Sequence, residues 1–140
     1  MMRQGWRSRR GSTMVELGLV LGAFLFMMIG TLDIGRVMYM HQTLTERARK
    51  SVRWGASRTF NETNVKNVVL YDSATPADGA RPVFGLTASN VIVTRDIGAS
   101  GVPDVLTIKV TGWSYRFMSP YIAGSVIAPD IITSMTMENP

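Results

Sequence analysis

The chain has 140 residues, no cysteine, and 15 basic against 10 acidic side chains. This length allows one small head beside a single long apolar segment, and the lack of thiols excludes disulfides and thiolate chemistry. The net charge of +5 suggests an anionic partner, but four of the basic residues (Arg3, Arg7, Arg9, Arg10) precede Gly11 and no acid does. From Ser12 onward the balance is 11 basic to 10 acidic, a net of +1. The excess therefore belongs to the N-terminal segment, and no nucleic-acid-binding fold accompanies it.

Met1 to Arg10 reads as a basic, disordered segment. The stretch Arg7–Leu32, RSRRGSTMVELGLVLGAFLFMMIGTL, organises the rest of the chain. Its order is an arginine cluster, Gly11, the lone charge Glu16, and an uncharged run from Leu17 to Leu32. Arginines beside an apolar run hold that end on the cytoplasmic side of a membrane. The run itself is slightly short of the ~20 residues that span a bilayer, and residues 12–16 bring it to length. Met14, Met27 and Met28 supply adaptable apolar packing there. Gly18 and Gly22 form a GxxxG pair whose bare surface lets another helix approach closely. A conventional secretory signal needs a small-x-small site after the apolar core, and Gly30-Thr31-Leu32-Asp33 offers none.

Glu16 is anomalous, because a carboxylate at the edge of hydrocarbon costs a few kcal/mol unless it is solvated or paired. It either sits at headgroup depth in water or finds a cation.

The helical pattern continues past the apolar run. Ile34, Val37, Met38, His41, Leu44, Ala48, Val52 and Ala56 recur at spacings of three and four. One helix is expected from Ser12 to Ser57, roughly 65 to 70 Å at 1.5 Å per residue. Asp33 and Arg36 are spaced to pair at the membrane exit, or else both are hydrated there. Glu46 and Lys50 form an (i, i+4) pair worth about 0.2–0.5 kcal/mol. The basic run Arg47, Arg49, Lys50, Arg53 and Arg58 reads as a solvated face favoured by the helix dipole; attraction to anionic headgroups or an acidic partner is the alternative. His41 is the single histidine and cannot build a metal site alone, so it is read as a partly buried helix residue.

After Gly55 the chain turns. Asn61 is placed to cap a short helix carrying Val65, Val68, Val69 and Tyr71, with a strand as the rival reading. Asp72–Pro82 is a loop by composition. Asn90–Asp96 reads as a strand, Gly98–Pro103 as a turn, and Asp104–Phe117 as one long alternating strand with Trp113, Tyr115 and Phe117 on one face. Met118–Gly124 reads as a helical turn and Ile131–Met137 as a third strand. An apolar sheet face needs a cover, and the stripe from Val37 to Ala56 is the available one. The expected class is α+β: a long helix, membrane-spanning in its first half and amphipathic in its second, packed on a small antiparallel sheet.

No constellation for chemistry emerges. Asp72, Asp78, Asp96, Asp104 and Asp130 sit in or beside turns, where aspartate caps backbone groups. Gly98 and Gly101 belong to no phosphate loop. The expectation is a protein with no enzymatic activity, cofactor or metal.

The basic leader, Gly11, and a glutamate heading an apolar helix together resemble the type IV prepilin processing motif, here Gly11-Ser12-Thr13-Met14-Val15-Glu16. The continuation resembles TadE-like minor pilins (pseudopilins) of tight-adherence, or Flp, pilus systems. The matching features are Arg10-Gly11, Val15-Glu16-Leu17, Asp33 with Arg36, Tyr39, His41-Gln42 with Leu44, and Ala48 with Arg53. The resemblance covers roughly Arg10 to Ala56.

This resemblance implies a pilin-like fold and cleavage after Gly11 by a prepilin peptidase. It further implies that the new amine of Ser12 pairs with Glu16 of a neighbouring subunit and sets axial register. The implied organisation is a leader over 1–11, a span or filament-core segment over 12–34, and a periplasmic head over 35–140. The N-terminus would lie in the cytoplasm of a bacterial inner membrane, and the partners would be the peptidase, other pilin or pseudopilin subunits and the assembly machinery. The departure is Ser12, where type IV pilins usually begin with phenylalanine; this leaves N-methylation open. The alternative is an uncleaved single-span anchor whose periplasmic head binds a partner.

Overall fold

The computed structural model describes residues 8–99, 102–119 and 125–137. Expectations for Met1–Arg7, for the centre of the Gly98–Pro103 turn and for residues 120–124 lie outside these. The elements are helix α1 (Ser8–Ala56), helix α2 (Glu62–Tyr71), and strands β1 (Val91–Asp96), β2 (Val105–Val110), β3 (Ser114–Arg116), β4 (Ser125–Ile127) and β5 (Ile131–Thr136). Two short 3-10 turns, Val83–Gly85 and Ala88–Asn90, precede β1. The class is α+β. Two compact units are present: one holds the described residues up to Arg36 with the segment from Phe117, and the other holds Val37 to Arg116 with the chain from Ser125 onward.

Helix α1 starts earlier than the sequence pattern suggests. Ser8–Arg10, expected to be disordered, are helical. Arginine is a good helix former, and no proline interrupts the stretch. At the other end Ser57 donates from Oγ to the Arg53 carbonyl, 3.0 Å away, and the helix stops.

In the second unit the last turns of α1 pack as the stripe requires. Leu44, Ala48, Val52 and Ala56 are buried. Val37 is half-buried, but Met38 is exposed, so the packed stripe is shorter than its periodicity. The reason is length. A six-residue strand is about 20 Å long, which matches about 13 residues of helix, the distance from Leu44 to Ala56. Gly55 is a close approach: a Cβ there would stand 2.7 Å from Leu106 Cδ2 and 2.9 Å from Val65 Cγ2.

Helix α2 forms as its cap predicts. Asn61 Oδ1 accepts from the Asn64 N–H at 3.1 Å, and Asp72 ends the helix in the left-handed region at φ 62°. Val65, Val68, Val69 and Leu70 are buried on its inner face. The strand reading of this segment is excluded. Ser51, fully buried on α1, donates to the Val65 carbonyl at 2.6 Å and ties the two helices together.

The main sheet has the order β1-β2-β5, antiparallel throughout. Cross-strand partners Val91, Val110 and Ile131 form one inward row, and Leu106 and Ile108 fill the inner face of β2. The expected long strand Asp104–Phe117 is broken. Gly112 adopts φ 66°, a conformation open to glycine and strained for other residues. The chain turns there, and β3 pairs instead with β4, a strand the pattern did not reveal. Trp113, in the break, and Tyr115, in β3, are both buried, so they do not form an exposed aromatic surface.

Three aspartates stabilise the turns. Arg95 donates from Nε and Nη2 to Asp104 Oδ2 at 2.9 and 2.6 Å, and the Gly98 N–H donates to Oδ1 at 3.0 Å. The Arg95 hydrogen bonds, reinforced by the Gly98 N–H, hold the Asp104 carboxyl below the usual carboxylate range. Lys109 does the same for Asp130 at 2.7 Å, and Lys50 for Asp72 at 2.7 Å.

Candidate functional site

The site expected from the sequence is a helix surface. From Met14 to Leu32 most of the large apolar side chains of α1 are exposed, with Ile29 half-buried. Met14, Leu19 and Phe24 are 79%, 72% and 61% exposed. A monomer seldom leaves so large a contiguous apolar surface in water. By length and composition α1 is apolar enough to cross a membrane, and almost none of its most apolar stretch is buried within the chain. Its one hydroxyl near the far end is satisfied locally: Thr31 Oγ1 donates to the Met27 carbonyl at 2.9 Å, as hydroxyls in membrane helices commonly do.

Glu16 is exposed, and it is the only charged residue from Ser12 to Leu32. Ser12 lies four residues before it, so both occupy one face of the helix. The backbone of Gly11 is helical. Gly18 and Gly22 also share a face, and a Cβ at either would meet nothing within 4 Å. The surface around this pair is therefore open to a neighbouring helix. Within the chain these five positions are brought together only by the helix that carries them.

The side chain that sequence reasoning misplaced is Asp33. It is 2% exposed. Its Oδ1 accepts from the backbone N–H of Met118 at 2.9 Å and its Oδ2 from that of Ser119 at 3.0 Å. Hydration at the interface is thus overturned for Asp33: its solvent is a pair of amides from a segment 85 residues further along the chain. Met118 lies in a bend and Ser119 in irregular backbone, so neither is helical; the remainder of the expected helical turn, residues 120–124, lies outside the described residues. The available signal was the charge itself, since an acid directly after a 16-residue uncharged run must find donors.

The basic run resolves into separate tasks. Arg47 donates to the carbonyls of Val69 and Leu70 at 3.4 and 3.3 Å, closing the C-terminal end of α2. The ion pair of Lys50 is with Asp72 and not the (i, i+4) pair expected with Glu46. Arg58 lies over the Trp54 ring at 5.2 Å. Arg49 and Arg53 are exposed. Most of the run is therefore structural or solvated.

His41 is exposed and not partly buried; its ring stands 6.2 Å from that of Trp113. With Val37, Met38, Gln42, Ala128 and Pro129 these two residues line an open, apolar groove of about 290 Å³. Among the described residues no group of three metal-ligating side chains comes together.

A family model described as TadE-like protein matches residues 11–53. No curated protein and no solved structure matches the chain. The match begins at Gly11, takes in Glu16, Gly18, Gly22 and Asp33, and ends near Gly55, so the similarity to the TadE-like family lies along the long N-terminal helix.

Proposed function

We propose that this chain is a pilin-like subunit of a tight-adherence (Flp-type) pilus, made as a membrane-inserted precursor. The observation that carries the reading is the TadE-like match, which starts at Gly11 and runs along a helix whose apolar half is largely exposed. In this reading residues 1–11 are a leader, 12–34 span the inner membrane or line a filament core, and 35–140 form a periplasmic head. The arginines before Gly11 hold the N-terminus in the cytoplasm.

A prepilin peptidase then cuts after Gly11, where the absence of a side chain suits its site. Ser12 gains an ammonium. Glu16 of one subunit pairs with that ammonium on its neighbour, and each charge relieves the desolvation cost of the other. The faces around Gly18 and Gly22 exchange lipid for another helix, a step driven by close packing because lipid and helix are equally apolar.

Two variants test this. Gly11→Val is expected to accumulate a precursor longer by the leader on denaturing gels; normal processing of that variant refutes the cleavage site. Glu16→Ala is expected to insert and be cut but to assemble poorly, and normal piliation in that strain removes the role given to Glu16.

A further inference from the structure

We propose that the chain touches the membrane twice: through α1, and through the segment at Met118, which Asp33 fixes at the membrane surface. This inference rests on the reading that α1 crosses the bilayer. From Glu16 to Asp33 the helix rises about 26 Å at 1.5 Å per residue, close to the ~30 Å of a hydrocarbon core. With Glu16 at one interface, Asp33 stands at the other. Its neighbours Leu32 and Ile34 are 55% and 63% exposed, so apolar surface continues around it on the helix.

The Met118 amide nitrogen lies 2.9 Å from the Asp33 carboxylate. Met118 must therefore share the depth of Asp33, and its side chain is 61% exposed there. Irregular backbone at such a depth needs its N–H groups satisfied by protein, and a carboxylate at such a depth needs donors. The two requirements meet in one pair of hydrogen bonds, to Met118 and to the buried Ser119. A flexible thioether side chain with no charge suits the boundary between headgroups and acyl chains. The partner of this surface is the lipid bilayer.

The chain has no cysteine, so single-cysteine variants take one nitroxide label each. The full-length protein carrying Met118→Cys, Leu25→Cys or Ile97→Cys is reconstituted in phosphatidylcholine–phosphatidylglycerol vesicles. Collision with oxygen, which favours lipid, is compared with collision with a water-soluble nickel chelate. The oxygen-to-nickel ratio at 118 should be several-fold above that at Ile97, which is 80% exposed in the head, and below that at Leu25. Adding Asp33→Ala should lower the ratio at 118 to the Ile97 value and leave Leu25 unchanged. A label at 118 as aqueous as Ile97, with Leu25 in lipid, overturns the second contact while the span stands. An aqueous Leu25 label overturns the span and the contact with it. A ratio at 118 that ignores Asp33→Ala refutes the anchoring role of Asp33.

Discussion

Replacing Gly55 by alanine sets two effects of known size against each other. Alanine in a helix interior is favoured over glycine by about 1 kcal/mol, an upper limit at Gly55, one residue from the end of α1. At Gly55, however, the new methyl would stand 2.7 Å from Leu106 Cδ2 and 2.9 Å from Val65 Cγ2. Leu106 and Val65 are both fully buried, and valine has little rotamer freedom with which to yield. Overpacking of this kind costs about 1–3 kcal/mol. The steric term wins, and Gly55→Ala should destabilise the head by roughly 1 kcal/mol, or about 5 °C in Tm for a domain of this size. Urea unfolding of the full chain in detergent, followed through Trp54 and Trp113, reads this directly. Gly35→Ala is the control, because a Cβ there meets nothing within 4 Å. Adding Leu106→Val to Gly55→Ala should cost less than the sum of the two single changes, as expected of residues in contact. A Gly55→Ala protein as stable as the parent would show that helix and sheet do not approach this closely.

Further predictions concern the head. The Asp104 carboxyl titrates below its ordinary value because of Arg95 and the Gly98 N–H. Its contribution is therefore complete above about pH 4 and is lost as pH falls through the lowered value. Asp72 and Asp130 act in the same direction. Head stability should fall on acidification below about pH 4, and Asp104→Asn should be less stable at neutral pH with a shallower acid limb in chemical denaturation. Arg47→Ala should cost about 1 kcal/mol, since both of its charged hydrogen bonds to α2 are long. Lys50→Ala should cost no more than that, because its pair with Asp72 is half-exposed; the same unfolding curves compare the two.

The parts legible in the sequence were those fixed by local pattern. A proline-free run and a three-four apolar spacing define α1, Asn61 announces α2, and alternation marks β1, β2 and β5. The parts that were hidden depend on distant partners. Alternation runs on through Trp113, Ser114 and Tyr115 as though one strand continued, yet Gly112 turns the chain and Ser114–Arg116 pair with β4. Glycine inside an alternating stretch was the available signal. Strand β4 is three residues long with no buried position, too short for a period to show. Asp33 looked like an interfacial charge because its donors lie far away in sequence. His41 follows the stripe but falls outside the length of helix that the sheet covers. Lys50 has its acid across from α2, where Glu46 on its own helix was the nearer guess.

The central claim is that this chain, whose residues 11–53 match the TadE-like family model, is processed after Gly11, and the N-terminal sequence and intact mass of the protein from native cell envelopes test it most directly. The account predicts a chain that begins at Ser12, with Glu16 as its fifth residue. A chain that still carries the arginines before Gly11 would contradict it and would make the molecule an uncut single-span anchor.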